Sequence, residues 1–271
     1  MGILSGRVAF VTGAGHGQGR SHAIRLAQEG ADVLICDACM PIEQMAYPLA
    51  TIEELEETAM LVEKTGQRCS FAKIDVRDST GLYEFVQEGV KTLGPVRIVA
   101  ANAAINIMRL IEDLDLETWQ LVIDVNLTGV FNTVKAALPS MVEAGKGGSI
   151  IITSSSAAIS GLPFHAHYAS AKAGLLGLTR ALAVELGDKD IRINTIHPAA
   201  VTTAMSTDVT LPSLLENPRN AGMFASSYSP LLPYESAEVG DISDAVVFLA
   251  SDQSRLITGA NLPIDMGVSV H

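Results

Sequence analysis

The 271-residue sequence contains no run of lysine or arginine, and its 18 basic residues face 30 acidic ones. A net charge of −12 argues against nucleic-acid or anionic-membrane partners, both of which need a basic surface. Cysteine is scarce. Cys36, Cys39 and Cys69 are an odd set that cannot supply a disulfide framework. Cys36 and Cys39 form a C-x-x-C straddling the end of a strand pattern, with Asp37 inside it. No second cysteine or histidine pair completes a metal site, so no metal is expected. The opening "MGILSGRVAFVTGAG" lacks the basic segment and apolar core of a leader peptide. No uninterrupted apolar run approaches the ~18 residues of a membrane span. These gaps predict a soluble cytoplasmic protein. Internal repeats, low-complexity tracts and linkers are missing too.

Apolar residues are plentiful: 48% of the chain is hydrophobic and only 18% charged, which suits one large α/β domain over residues 1–271. Strand candidates are "RVAFVT" (7–12), "DVLIC" (32–36), "CSFAKI" (69–74), "VRIVAA" (96–101), "SIIITS" (149–154), "RINTIH" (192–197) and "NLPI" (261–264). Stretches with helical apolar spacing separate them. Near-continuously apolar strands between helices imply a parallel sheet covered on both faces. The expectation is a doubly wound, Rossmann-type α/β fold with seven parallel strands in the order 3-2-1-4-5-6-7.

Two stretches exceed what that fold needs. Residues 38–65 hold an inserted loop, then a helix whose start is marked by Thr51 and Glu54 as a capping box. Ile52, Leu55, Ala59 and Val62 give that helix one apolar face. Residues 200–237 carry Met205, Met223, Phe224, Tyr228, Leu231, Leu232 and Tyr234, with little charge. A long apolar loop at the carboxyl edge of such a sheet predicts a substrate enclosure.

"VTGAGHGQGR" joins the first strand to the first helix. Gly13, Gly17 and Gly19 allow a sharp turn and close approach of a pyrophosphate to the helix N-terminus. The loop residues Gly13, Gly15, His16, Gly17, Gln18 and Gly19 are therefore candidate cofactor contacts. Asp37 ends strand two, where a carboxylate can accept from both ribose hydroxyls of adenosine and repel a 2′-phosphate. Ala38 follows, so no arginine is offered to a phosphate, and His16 alone leans toward NADP. The cofactor expected is NAD.

"YASAK" places Tyr168 and Lys172 four residues apart, on one helical face. Free tyrosine, with a pKa near ~10, is a poor base at neutral pH. A neighbouring ammonium and a positive nicotinamide would favour the phenolate. Ser155 closes "SIIITSS", and a hydroxyl at a strand's carboxyl end can hold a substrate oxygen as charge develops on it.

T-G-x-x-x-G-x-G resembles the cofactor signature of the short-chain dehydrogenases/reductases, and the resemblance runs along the whole chain. It implies that Asp75 in "KIDVRD" meets the adenine amino group and that Val76 packs on the ring. "AANAA" stands where the family has N-N-A-G: Asn102 and Ala103 match, while Ala101 and Ala104 depart. The family's serine lies thirteen residues before its tyrosine, which selects Ser155 over Ser154 and Ser156. Asn126 in "IDVNLTGVF" matches the asparagine that helps hold a proton-relaying water. In "IHPAAVTTAM", Pro198, Val201 and Thr203 match the segment that holds the nicotinamide carboxamide, and Ala199 replaces a glycine. His165 and His167 flank the tyrosine without a metal-spaced partner and read as pocket lining or satisfied surface residues.

"YPLATIEELEETAMLVEKTGQR" further resembles the insert of the mycofactocin-coupled, carveol dehydrogenase-like enzymes within that family. That resemblance implies a covered, non-exchanging NAD reoxidised by an external mycofactocin carrier, and an apolar secondary alcohol or ketone as substrate. Two other readings serve the same residues: a ketoreductase with freely exchanging NADH, and a non-enzymatic NAD sensor. The catalytic set Asn126, Ser155, Tyr168 and Lys172 weighs against the sensor. The helix starting near Tyr168, "YASAKAGLLGLTRALAVELG", and that over about 117–143 carry apolar or small residues beyond one stripe, among them Ala169, Ala173, Leu176, Gly177, Trp119, Val122, Val130, Phe131 and Val134. They predict a four-helix dimer interface and a homotetramer.

Overall fold

The computed structural model describes residues 2–270. Seven parallel strands form one sheet in the order β3-β2-β1-β4-β5-β6-β7: β1 Val8–Thr12, β2 Asp32–Asp37, β3 Cys69–Lys73, β4 Val96–Ala101, β5 Gly148–Thr153, β6 Ile191–Pro198 and β7 Asn261–Ile264. The order and every strand match the sequence expectation, with no end shifted by more than one residue.

Alternation along the strands divides the core. Ala9 and Val11 of β1, with Val33 and Ile35 of β2, pack beneath α1 (Gly17–Gln28), α2 (Ile52–Glu63) and α9 (Val239–Ala250). Val8, Phe10 and Leu34 point the other way, onto α3 (Ser79–Leu93), α5 (Gly129–Ala144) and α6 (Ala166–Leu186). Both faces are covered, so the strands carry no polar face.

The capping box on α2 forms as expected. The Thr51 N–H donates to Glu54 Oε2 at 2.9 Å, and the Glu54 N–H to Thr51 Oγ1 at 3.3 Å. Leu55, Ala59 and Val62 are buried beneath it. Within 200–237, two short helices replace an open loop: α7 (Thr210–Leu215) and α8 (Pro218–Ser227).

The helix at 116–144 is long and apolar enough to cross a membrane by length and composition alone. Its residues Val122, Val130, Val134 and Met141 are instead buried against the sheet. Val122, Val130 and Val134 therefore belong to the core and not to the second apolar surface expected of them. Phe131 remains 45% exposed, and on α6 the residues Ala173, Gly177, Ala181 and Val184 stay exposed along one side. Between α4 (Leu116–Ile123) and α5 lies a π-helical turn, Asp124–Thr128, a widening that recurs at functional positions.

Candidate active site

Order reverses between β1 and β4, and the crevice at the strands' carboxyl ends is where such sheets bind ligands. A cleft of about 420 Å3 opens there, within the range of small-molecule sites. One end is built by the glycine loop. Gly13 has φ +68°, and a Cβ on it would lie 2.7 Å from the Ala103 Cα. Gly19 packs equally tightly on the Gly13 carbonyl. These two glycines make the turn; Gly17, with φ +57° and only Thr203 nearby, leaves room for a ligand at the start of α1. No side chain caps that helix. His16 Nε2 and Gln18 Oε1, beside it in the cleft, are buried without protein partners. An uncapped N-terminus with the unpaired ring nitrogen of His16 beside it fits a bound pyrophosphate.

The peptide of Gly15 is held from both sides. Its N–H donates to Asp37 Oδ2 at 3.0 Å, and its carbonyl accepts from Arg20 Nη2 at 2.8 Å and Thr58 Oγ1 at 3.3 Å. Thr58 belongs to α2, so the inserted helix buttresses the glycine loop. Asp37 Oδ1 also accepts the Cys39 N–H at 3.1 Å. Each carboxylate oxygen keeps accepting capacity for a ribose hydroxyl. Asp75 and Val76 line the cleft nearby. Asp75 is already engaged by Arg77, with Nη2 to Oδ2 at 2.6 Å and Nε to Oδ1 at 3.0 Å. Burial raises its pKa, but the Arg77 bonds more than offset this and hold it below the usual carboxylate range. Asn102 Nδ2 donates to the Thr12 carbonyl at 3.2 Å, tying the end of β4 to the loop. Ala103, Pro198, Val201 and Thr203 complete this wall. Ala104 and Ala199 are not among the residues with positive φ, so alanine replaces the family's glycine there without strain.

At the other end Ser155, Tyr168 and Lys172 converge. The Lys172 side chain is 1% exposed; its Nζ donates to the Thr153 carbonyl at 2.8 Å and lies 5.6 Å from the Tyr168 ring centroid. Burial lowers the Lys172 pKa to about 7. It pushes the Tyr168 phenol up, and a hydrogen bond with the Ser155 side chain draws it partly back. The expected ammonium beside the phenol is thus held close to neutrality by desolvation. Ser154 donates to the Lys172 carbonyl at 3.0 Å, whereas Ser155 Oγ accepts the Ala157 N–H at 3.2 Å and turns its own hydroxyl to the Tyr168 oxygen in the cleft. His197 Nδ1 donates to the Ser155 carbonyl at 2.9 Å from behind.

Asn126 stands apart from the cleft. Its buried amide accepts the Ile105 N–H at 2.8 Å and donates to the Ile105 carbonyl at 2.7 Å, pinning the loop after β4 from within the π turn. His165 lines the cleft, edge-on to Tyr168 at 6.0 Å. His167 is fully buried, so neither histidine is on the surface. Met205, Phe224 and Tyr228 of 200–237 reach the cleft. Leu231, Leu232 and Tyr234 are exposed and do not.

Sequence reasoning missed Tyr47, Asn106 and Asp208. Tyr47, in the insert, is 8% exposed, and its hydroxyl accepts the Asn106 N–H at 2.9 Å. Met40, Ile42, Leu49 and Ala50 of the same insert line the cleft with it. A lone tyrosine among prolines gives no periodic signal, and Asp208 before "VTLP" reads as a helix cap.

Comparison with known proteins agrees with this geometry. A family model described as enoyl-(acyl carrier protein) reductase matches residues 13–269. A (−)-trans-carveol dehydrogenase of Rhodococcus erythropolis is 43% identical over 100% of both chains. An uncharacterized NAD-dependent oxidoreductase of Mycobacterium tuberculosis is 43% identical over 98% of this chain and 97% of its own. The crystal structure of carveol dehydrogenase from Mycobacterium avium in complex with NAD superposes with a TM-score of 0.93 at 44% identity, covering 100% of both chains. That of a short chain dehydrogenase from Mycobacterium paratuberculosis bound to NAD gives 0.96 at 40% identity, again over 100% of both. With a glycine-loop cleft at one end and a serine, tyrosine and lysine converging at the other, the chain belongs to the short-chain dehydrogenase/reductase family.

Proposed function

We infer that this protein is an NAD-dependent oxidoreductase acting on a secondary alcohol or its ketone. The observation that carries the reading is the meeting of Ser155, Tyr168 and Lys172 at the end of the glycine-loop cleft. NAD, when bound, supplies the hydride-accepting carbon of its nicotinamide. Gly17 and the start of α1 would hold the pyrophosphate, and Asp37 the adenosine ribose. Val76 and Asp75 would flank the adenine, with Arg77 using much of the Asp75 accepting capacity. Asn102 and Ala103 would support the cofactor at the cleft wall, and Lys172 would hold the nicotinamide ribose. Pro198, Val201 and Thr203 face the carboxamide end.

In oxidation, Ser155 fixes the substrate oxygen and Tyr168 takes the hydroxyl proton. Lys172, with a pKa of about 7, can accept and pass on a proton at neutral pH, where general acid–base groups work best. Asn126 holds the loop beside this route and is assigned its relay position.

The insert supports a covered cofactor. Tyr47 reaches across to Asn106, and Ala50 sits against Gly15. On this basis NAD stays bound between turnovers and is reoxidised by an external carrier such as mycofactocin. The lining by Met205, Leu211 and Phe224 suits an apolar, carveol-like body on the substrate. The exposed faces of α5 and α6 support pairing into a homotetramer, and the cytoplasm is the assigned location. The test is to dialyse the purified protein extensively, denature it and assay the released nucleotide. Stoichiometric NAD supports retention; a nucleotide-free protein that turns over with added NADH would mean a freely exchanging ketoreductase.

A further inference from the structure

Asp208 sits between β6 and α7 and is 6% exposed. Its Oδ1 accepts the Thr210 N–H at 2.7 Å, capping the start of α7. A capping carboxylate ordinarily leaves its second oxygen in water. Here Oδ2 is buried and has no hydrogen-bond partner, and Asp208 forms no ion pair among the described residues. Leaving a buried polar group unpaired costs about 1–3 kcal/mol, and more for a charged one. The residue lines the cleft, as do Tyr47, His165 and Tyr168, and lies close enough to Tyr47 and His165 to act on both electrostatically.

No described residue donates to this oxygen. His165 Nδ1 faces the Pro163 carbonyl at 2.6 Å, so that nitrogen carries the proton. Burial keeps the ring neutral, which leaves Nε2 an acceptor. Asn106 adds a second buried acceptor without a partner, its Oδ1. The cleft beyond Tyr168 therefore holds two buried acceptors without partners, Asp208 Oδ2 and Asn106 Oδ1, in a largely apolar wall.

We propose that the substrate carries a second hydrogen-bond donor, a hydroxyl or an ammonium distinct from the group that Tyr168 deprotonates, and that Asp208 Oδ2 receives it. Asn106 Oδ1 offers a second unpartnered acceptor in the same cleft. The same carboxylate rejects substrates bearing a carboxylate of their own. The proposal rests on the alcohol-oxidoreductase reading and narrows its substrate class.

The test measures binding to protein whose nucleotide has been reduced in place to NADH, in which an alcohol cannot be oxidised. Cyclohexanol, the isomeric cyclohexanediols and the aminocyclohexanols are titrated by calorimetry into wild type and Asp208→Asn. The variant keeps the cap through its amide oxygen and turns a nitrogen toward the cleft. Wild type is expected to bind the best diol or amino alcohol at least about tenfold more tightly than cyclohexanol, and Asp208→Asn to erase that gap. An amino alcohol leading identifies the donor as an ammonium, and a diol leading as a hydroxyl. Wild type that binds no diol or amino alcohol more tightly than cyclohexanol overturns the proposal, as does a gap that survives in Asp208→Asn. NADH formation from these alcohols is followed separately. A binding gap with no NADH formed supports the Asp208 assignment and sinks the oxidoreductase reading. NADH formed without a gap does the reverse.

Discussion

Lys172 Nζ lies 5.6 Å from the centre of the Tyr168 ring while donating to the Thr153 carbonyl at 2.8 Å. Burial disfavours charge on both groups, lowering the lysine to about 7 and raising the tyrosine. The protein therefore stores a neutral phenol beside a lysine poised to gain or lose its proton near neutral pH. A positive nicotinamide placed against it would pull the phenol toward ionisation, so base strength would be tied to cofactor binding.

The insert should govern how fast NAD leaves. In Tyr47→Phe the buried Asn106 N–H loses its acceptor, a cost of about 1–3 kcal/mol. Stopped-flow release of NAD is expected to accelerate about tenfold, with the fold intact. An unchanged release rate would mean that the insert packs on the cleft without retaining the cofactor.

Asp37→Ala is expected to weaken NAD and to narrow the preference over NADP. The carboxylate also holds the Gly15 and Cys39 N–H groups, so both cofactors should lose affinity through loop loosening. The ratio of their dissociation constants is the informative quantity. An unchanged ratio would refute the assignment of Asp37 to the adenosine ribose.

Acid should destabilise the protein before carboxylates titrate. Burial lowers His22 to about 3 and His167 to about 4, and it also lowers His165 and His197. Between the ordinary histidine value of about 6.5 and pH 4 the unfolded chain binds more protons than the folded one. Stability is then full above pH 6.5 and falls as pH drops, by roughly 1 kcal/mol per pH unit for each of His22 and His167, with His165 and His197 acting in the same direction. Thermal melts followed by circular dichroism should show the midpoint falling across this window. A flat midpoint would show that these rings are protonated in the folded state.

The fold was legible because its signals are local. Apolar β-branched runs mark the strands, and Thr51 with Glu54 marks the start of α2. Gly13 and Gly19 were legible as glycines but not in their separate roles, since only the tertiary contact with Ala103 shows that they shape the turn. Tyr168 and Lys172 were legible from spacing on one helix. Their charge state was not, because desolvation comes from elements distant in sequence. Val122, Val130 and Val134 misled for a similar reason: the pattern shows that a residue is apolar, and only packing decides whether sheet or partner covers it. Asp208 left no trace, because a cap and a substrate contact have the same sequence appearance.

Assembly can be tested on the exposed side of α6. Light scattering at micromolar concentration should give the mass of a tetramer, and Gly177→Glu should reduce it by placing charge among Ala173, Ala181 and Val184. A monomeric wild type would show that this face is not an interface.

The most direct measurement is single-turnover hydride transfer in Tyr168→Phe, with NAD binding measured on the same preparation. The ring and its packing stay, and only the proton-transferring hydroxyl is removed. Hydride transfer is expected to fall by ~10²–10⁴-fold while NAD affinity stays within about threefold of wild type, since the ring and the cleft walls are unchanged. Transfer within about tenfold of wild type, below the range that general acid–base chemistry contributes, would contradict the role given to Tyr168.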